Sequence, residues 1–292
     1  MGPDFSEWLS WKVIRMAHSN ADLTLVTSPQ MKEELESNGV QRVAVWRKGI
    51  DTVRFHPRFK KKEVREKLSS GSPDSPLLVY VGRLGREKRL TDLRAVLDAN
   101  PTCRLAIVGK AAEDSYMAKL RESLEPTGRI VFTGQLGGDD LSEAFAAADA
   151  FVMPSDSETL GFVVLEAMAS GVPCVCVKAG GLVDLVDDGE TGFLVPVNDP
   201  AAFSSAVQKL VSNSSLRQTM ARKARAEAER WDWESSTEHL RNVNYVTALR
   251  NFHMRANPAQ LLFGWGRDKA AKVWKQFAAQ TVSFWTAHPS AV

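Results

Sequence analysis

Two glutamates eight positions apart, Glu158 and Glu166, frame a mostly apolar stretch within "SDSETLGFVVLEAMASGVPCVCV", Ser155–Val177. Eight residues of helix span ~12 Å. That is too far for a glycosidase carboxylate pair, which needs ~5–9.5 Å, and too far for the two groups to share a proton. With Glu158 in a loop and Glu166 about one turn inside a helix, the pair can instead grip different ends of one extended ligand. Between them lies "TLGF", Thr159–Phe162. Gly161 lets the backbone approach closely, and free N–H groups at a helix start favour an anion. A second cluster, "VGRLGREKRL" (Val81–Leu90), carries Arg83, Arg86, Lys88 and Arg89 directly after a short apolar run. Standing alone, four such cations read as a solvated surface. Facing a phosphate-rich ligand they become a grip, because charge-assisted hydrogen bonds contribute ~1.5–3 kcal/mol each.

The elements that must position these residues alternate strand and helix. Short apolar runs occur at "LLVYVG" (77–82), "CRLAIVG" (103–109), "RIVFTG" (129–134), "AFVMPS" (150–155), "VPCVCV" (172–177) and "GFLVPV" (192–197). Helical patterns fall between them, at 89–100, 115–125, 139–148, across Glu166 and near Val183, with two more over 200–213 and 214–230. This alternation predicts βαβ units and a doubly wound parallel sheet covered on both faces. Such a sheet binds ligands at the carboxyl ends of its strands, which is where both charged clusters fall. No GxGxxG fingerprint and no Walker pattern is present, so dinucleotide oxidoreductases and P-loop ATPases lack their signatures.

Composition bounds the partners. Thirty-seven basic and 35 acidic residues give a formal net charge of +2, too balanced for nucleic acid as the main partner. Of the three cysteines, Cys174 and Cys176 alternate onto one face of a strand and read as core thiols without a metal. No apolar run approaches the ~20 residues of a membrane span, and "MGPDFSEWLSWKVIRMAH" shows neither a signal-peptide core nor a transit peptide.

The ends differ from the middle. Residues 1–59 hold two strand patterns, at 21–28 and 41–51, around a short helix at 29–39, then a basic linker. Two strands cannot cover both faces of a sheet, so they belong to a larger one or stay exposed. Residues 231–252 form one long helical pattern. The tail, 253–292, is basic and contains Trp265, Trp274 and Trp285. Its amphipathic stretch 267–285 fits either an anionic membrane surface or packing onto the protein.

Taken together, the glutamates Glu158 and Glu166, "GR" with Lys88 after the first strand, "VFTG" after the third, and "GID" before the linker resemble the retaining GT-B glycosyltransferases of family 4. The resemblance covers nearly all of 21–245. Within that family, "WRKGID", "ETLG" and "WDW" look most like the plant and algal sulfoquinovosyltransferases. It implies a complete Rossmann-like nucleotide domain over 60–230, the end of an N-terminal acceptor-side domain over 1–59, and a helix over 231–252 crossing back to it.

The resemblance also implies roles. Arg83 and Lys88 neutralise the donor diphosphate, and Glu158 binds sugar hydroxyls. Gly82 and the backbone at Thr159, Leu160 and Gly161 close on sugar and phosphate. Glu166 holds the ribose, and Ile130 meets uracil through its backbone. No cofactor and no essential metal is implied. The resemblance implies UDP-sulfoquinovose as donor and diacylglycerol as acceptor, in or near chloroplast membranes; another family 4 transferase using a different UDP- or GDP-sugar, and a nucleotide-sugar-binding fragment without catalysis, are the alternatives. The sequence departs from the family pattern at "GKAAEDSYM" (109–117), where Lys110 either adds a phosphate contact or is exposed. No Gly-rich acceptor loop appears in the first 59 residues, where a domain of ~150 or more would be expected. None of the five histidines stands where the family's donor-sugar histidine would.

Overall fold

A computed structural model describes residues 5–256 except 47, 48, 157 and 159. Thr159, residues 257–292 and the three tail tryptophans therefore lie outside the described residues.

The described chain forms two compact units. One contains the described parts of Met1–Val26, Lys32–Trp46 and Glu238–Val292; the other contains Thr27–Met31 and Arg47–Thr237. In the first, α1 (Phe5–Ser19) precedes β1 (Thr24–Val26), and α2 (Pro29–Ser37) leads to β2 (Val43–Val45). The two strands pair in parallel as a two-stranded sheet. Leu25 is exposed between the buried Thr24 and Val26, so one face of β1 is covered and the other is not. Helix α1 is an element that the strand-and-helix pattern of the sequence did not predict.

The second unit is built on β3 (Leu77–Val81), β4 (Arg104–Val108), β5 (Ile130–Gly134), β6 (Ala150–Met153), β7 (Cys174–Val177) and β8 (Gly192–Val195). All neighbours are parallel, in the order β5-β4-β3-β6-β7-β8. Counted from β3 this is 3-2-1-4-5-6, the doubly wound order, with its reversal between β3 and β6. The α/β parallel fold expected from the alternation is present. Every residue of β3, β6 and β7 is buried, because helices cover both faces. Cys103, Cys174 and Cys176 are free thiols inside this core.

Helices α3 (Lys62–Leu68), α4 (Leu93–Ala99), α5 (Asp114–Leu124), α6 (Gly138–Ala147), α7 (Phe162–Ala169), α8 (Pro200–Ser212) and α9 (Ser214–Glu229) make the connections and the outer layers. Local chemistry sets their starts. The Asp199 side chain accepts from the Ala202 N–H with Pro200 at the first helical position, and Asn213 accepts from the Leu216 N–H. Two expected helices differ. Near Val183 the chain makes only a 3₁₀ turn, Gly180–Asp184, which opens on Gly180 in the left-handed region at φ 53°. The 231–252 pattern becomes α10 (Trp233–His239), a π-helical stretch Leu240–Tyr245, and α11 (Val246–Ala256).

At the amino ends of β3 and β6 a closed ionic network anchors the sheet. Arg65 pairs with Asp149 at 2.6 Å and donates to the carbonyls of Pro73, Ser75 and Ala147. Asp149 also accepts from the Leu77 N–H at 2.8 Å, and Arg217 stands 3.7 Å away.

Candidate nucleotide-sugar site

The carboxyl ends of β3 and β6 flank the switch point. Strand β3 runs out into Gly82, just beyond its last residue, whose N–H donates to the Val108 carbonyl at 3.0 Å, and then into Arg83. Tyr80, fully buried in β3, donates its hydroxyl to the Arg83 carbonyl at 3.0 Å. Burial raises the Tyr80 pKa, with Glu158 adding to the effect, so the phenol stays a neutral donor. Tyr80 was not among the residues singled out in the sequence, although a hydroxyl inside an aliphatic strand signals a buried partner.

Beyond Gly82 an open cavity of about 570 Å³ is lined by Val81, Gly82, Arg83, Gly109, Lys110 and Gln135, among others. It lies over the carboxyl ends of β3, β4 and β5, within the size range of small-molecule sites. Lys110 is exposed on its wall. Arg83 is exposed too, and its side chain pairs with Glu87 at 2.5 Å. Such an exposed pair costs little to exchange for a phosphate.

Lys88 and Glu158 meet across the switch point. Lys88 Nζ lies 2.7 Å from Glu158 Oε2, with 14% and 19% of their side chains exposed. Seventy residues separate them in sequence; the β3–β6 adjacency brings them together. The Glu158 backbone is held as well. Its carbonyl accepts from the Gly181 N–H at 2.9 Å, and a Cβ on Gly180 would collide with that carbonyl.

Gly161 caps α7 at φ 74°, where a side chain would be strained and would meet Leu182 at 2.8 Å. Among the described residues, neither Leu160 nor Gly161 donates its N–H to another backbone carbonyl. Leu160 itself is buried. Glu166 is the fifth residue of α7, one turn inside the helix. Among the described residues no hydrogen bond or ion pair reaches its carboxylate. Burial pushes its pKa up to about 7, with Arg54 pulling it back.

The structure therefore brings Gly82, Arg83, Lys88, Glu158, Leu160, Gly161 and Glu166 to the carboxyl side of one sheet. It does not bring Ile130. That residue opens β5 and pairs with Leu105, while the carboxyl end of β5 is Gly134, paired with Val108. Four residues of strand put Ile130 roughly 13 Å from that end, so its assignment to uracil is corrected. Gln135 and Leu136, just after β5, line the cavity in its place. Among the described residues no group of His, Cys, Asp and Glu could hold a metal ion, and no helix is long and apolar enough to cross a membrane.

Residues 60–227 match the family described as glycosyl transferases group 1. The chain is 41% identical over 245 residues to sulfoquinovosyl transferase SQD2 of Arabidopsis thaliana, covering 82% of this chain and 47% of that one. It is 40% identical over 205 residues to a GDP-mannose-dependent alpha-mannosyltransferase of Mycolicibacterium smegmatis, covering 70% of this chain and 52% of that one. The chain thus spans about half the length of the curated relatives it matches. The crystal structure of Anabaena Alr3699/HepE in complex with UDP and glucose superposes with a TM-score of 0.73 at 24% identity, over 82% of this chain and 67% of that one, a likeness of fold. The family match covers more than half of the chain and takes in the whole six-stranded sheet with its switch point: this protein belongs to the glycosyl transferases group 1 family.

Proposed function

We propose that this chain carries the donor-binding half of a glycosyltransferase that moves sulfoquinovose from UDP-sulfoquinovose to diacylglycerol with retention. The observation that most supports the reading is the Lys88–Glu158 pair at 2.7 Å on the switch point, beside a cavity walled by Arg83 and Lys110. A donor diphosphate draws Lys88 away from Glu158, freeing a carboxylate for sugar hydroxyls. Glu166 takes the ribose hydroxyls from one turn inside α7. When the bond from the sugar carbon to the phosphate oxygen breaks, its electron pair leaves with UDP. Arg83, Lys88 and the start of α7 meet that charge in place of a metal. Diacylglycerol as acceptor, contact with a membrane through the tail, and a chloroplast setting rest on the resemblance to sulfoquinovosyl transferases.

A second reading keeps the fold and changes the donor. The 40% identity to a GDP-mannose-dependent enzyme favours a GDP-sugar. Calorimetry with UDP, GDP and uridine separates the two. Tight UDP and weak GDP binding supports the first reading; the reverse supports the second; binding of neither overturns both. Incubation with UDP-sulfoquinovose and diacylglycerol then tests transfer. We expect this chain alone to bind UDP without sustained sulfolipid synthesis, because catalysis needs contacts made in the transition state, including those to the acceptor.

A further inference from the structure

Arg89 stands next to Lys88 in a conformation that side chains rarely adopt, φ 51° and ψ 34°. Glycine would adopt it at less cost. The guanidinium holds three partners. It contacts Asp92 at 2.8 Å in its own segment, Asp156 at 3.4 Å in the loop after β6, and the Asn198 side-chain oxygen in the loop after β8. Asn198 is itself left-handed, at φ 61°. Three-quarters of the Arg89 side chain is buried by these contacts. A single residue thus ties together the loops at the carboxyl ends of β3, β6 and β8.

Its place in the sequence gives this a consequence for the site. Arg89 follows Lys88 directly, and Asp156 lies two residues before Glu158. Without ligand, the Lys88–Glu158 pair itself helps hold the two loops in register. A diphosphate that takes Lys88 breaks that pair at the moment when both side chains must stay in place. The Arg89 contacts use other partners, Asp92, Asp156 and Asn198, so the exchange leaves them in place. We propose that Arg89 is a positioning residue, which keeps the Lys88 and Glu158 loops in register once the donor has separated that pair. The inference rests on the donor-site reading above.

The test compares wild type, Arg89→Gly, Arg89→Lys, Asp156→Asn and the double variant Arg89→Gly/Asp156→Asn. Glycine suits the left-handed backbone, so Arg89→Gly should melt at or near the wild-type temperature while losing the cross-loop contacts. UDP and uridine affinities are read by calorimetry on the full chain. The expected result is UDP binding weakened roughly three- to tenfold in Arg89→Gly and in Asp156→Asn, a range set by the coupling usual for contacting groups. Uridine binding should be unchanged, since the effect runs through Lys88. The double variant should be no worse than either single, and Arg89→Lys should recover part of the loss. If wild type binds UDP and Arg89→Gly binds it equally well, the positioning role is wrong while the donor-site reading stands. Equal weakening of UDP and uridine, or a large fall in melting temperature that accounts for the loss, makes Arg89 structural and overturns the proposal. If wild type fails to bind UDP, the donor-site reading falls and this inference falls with it.

Discussion

The two ends of the six-stranded sheet both carry partly buried charge, and they spend it differently. At the amino ends of β3 and β6, Arg65 donates to Asp149 and to three backbone carbonyls, and one Asp149 oxygen accepts from both Arg65 and the Leu77 N–H while Arg217 stands 3.7 Å from the other. At the carboxyl ends of the same two strands, Lys88 and Glu158 hold one contact with each other, and Glu166 carries a burial-raised pKa with no direct partner among the described residues. Exposures are similar, 14% and 13% for Arg65 and Asp149 against 14% and 19% for Lys88 and Glu158. Burial alone therefore does not separate a structural ion pair from a binding one. What separates them is unused hydrogen-bonding capacity, which a fold-anchoring network cannot leave and a ligand site must.

Breaking the amino-end network should have the largest effect. Asp149→Ala leaves Arg65 without its counter-charge and the Leu77 N–H without its acceptor, and should cost ~3–5 kcal/mol of stability. Denaturant melts measure it. A loss below ~1 kcal/mol, the level of an exposed pair, would mean that the network is not an anchor.

At the other end the expected loss is of ligand rather than of fold. Lys88→Ala and Arg83→Ala should each weaken UDP by ~1.5–3 kcal/mol, the range for hydrogen bonds to charged groups. Uridine, having no phosphate, should be nearly indifferent. Equal losses for the two ligands would place these cations in the structural class with Arg65.

Glu166 sharpens the contrast through pH. Its carboxyl is raised from 4.5 to about 7 by burial. A carboxyl whose folded pKa lies above its unfolded one stabilises the fold below the unfolded value, and that stability is lost as pH rises through the folded one. The window here is pH 4.5 to about 7. Glu166→Gln, which cannot ionise, should be ~1–3 kcal/mol more stable than wild type at pH 8, with the difference vanishing near pH 4. The same variant should bind UDP more weakly at pH 8, because it loses the charged acceptor for ribose. Parallel stability curves for the two proteins from pH 4 to 8 would show that Glu166 does not carry a raised pKa.

The smallest effect is expected away from both ends. Arg94 and Asp98 form an exposed pair one helical turn apart at 2.8 Å. Asp98→Ala, which leaves the Arg94 bond to the Ser123 carbonyl at 3.1 Å in place, should change stability by less than ~0.5 kcal/mol and UDP affinity not at all. A larger change would show that exposed helix pairs matter here, and would weaken the distinction drawn between the sheet's two ends.

Much of this was legible from the chain itself. Runs such as "LLVYVG" and "VPCVCV" are apolar without alternation, and only a parallel strand covered on both faces tolerates that. Their alternation with helical patterns leads to a doubly wound sheet, and that sheet binds ligands at its carboxyl ends. The rule picked out the segments holding Arg83, Lys88 and Glu158. It also points to the loop after "VFTG", whereas Ile130 lies at the opposite, amino end of that strand. The helix predicted near Val183 is only a short 3₁₀ turn opening on the left-handed Gly180, a conformation that periodicity does not register.

The sequence by itself determined the elements, their class and the end of the sheet where ligand chemistry belongs, because those follow from local pattern and chain direction. Which charges meet was decided by the tertiary structure alone. Lys88 reaches Glu158 across 70 residues, and Arg65 reaches Asp149 across 84. Both pairings depend on β6 lying beside β3, with Leu78 paired to Ala150 and Val79 to Phe151, an adjacency between strands far apart in the chain that no local pattern specifies.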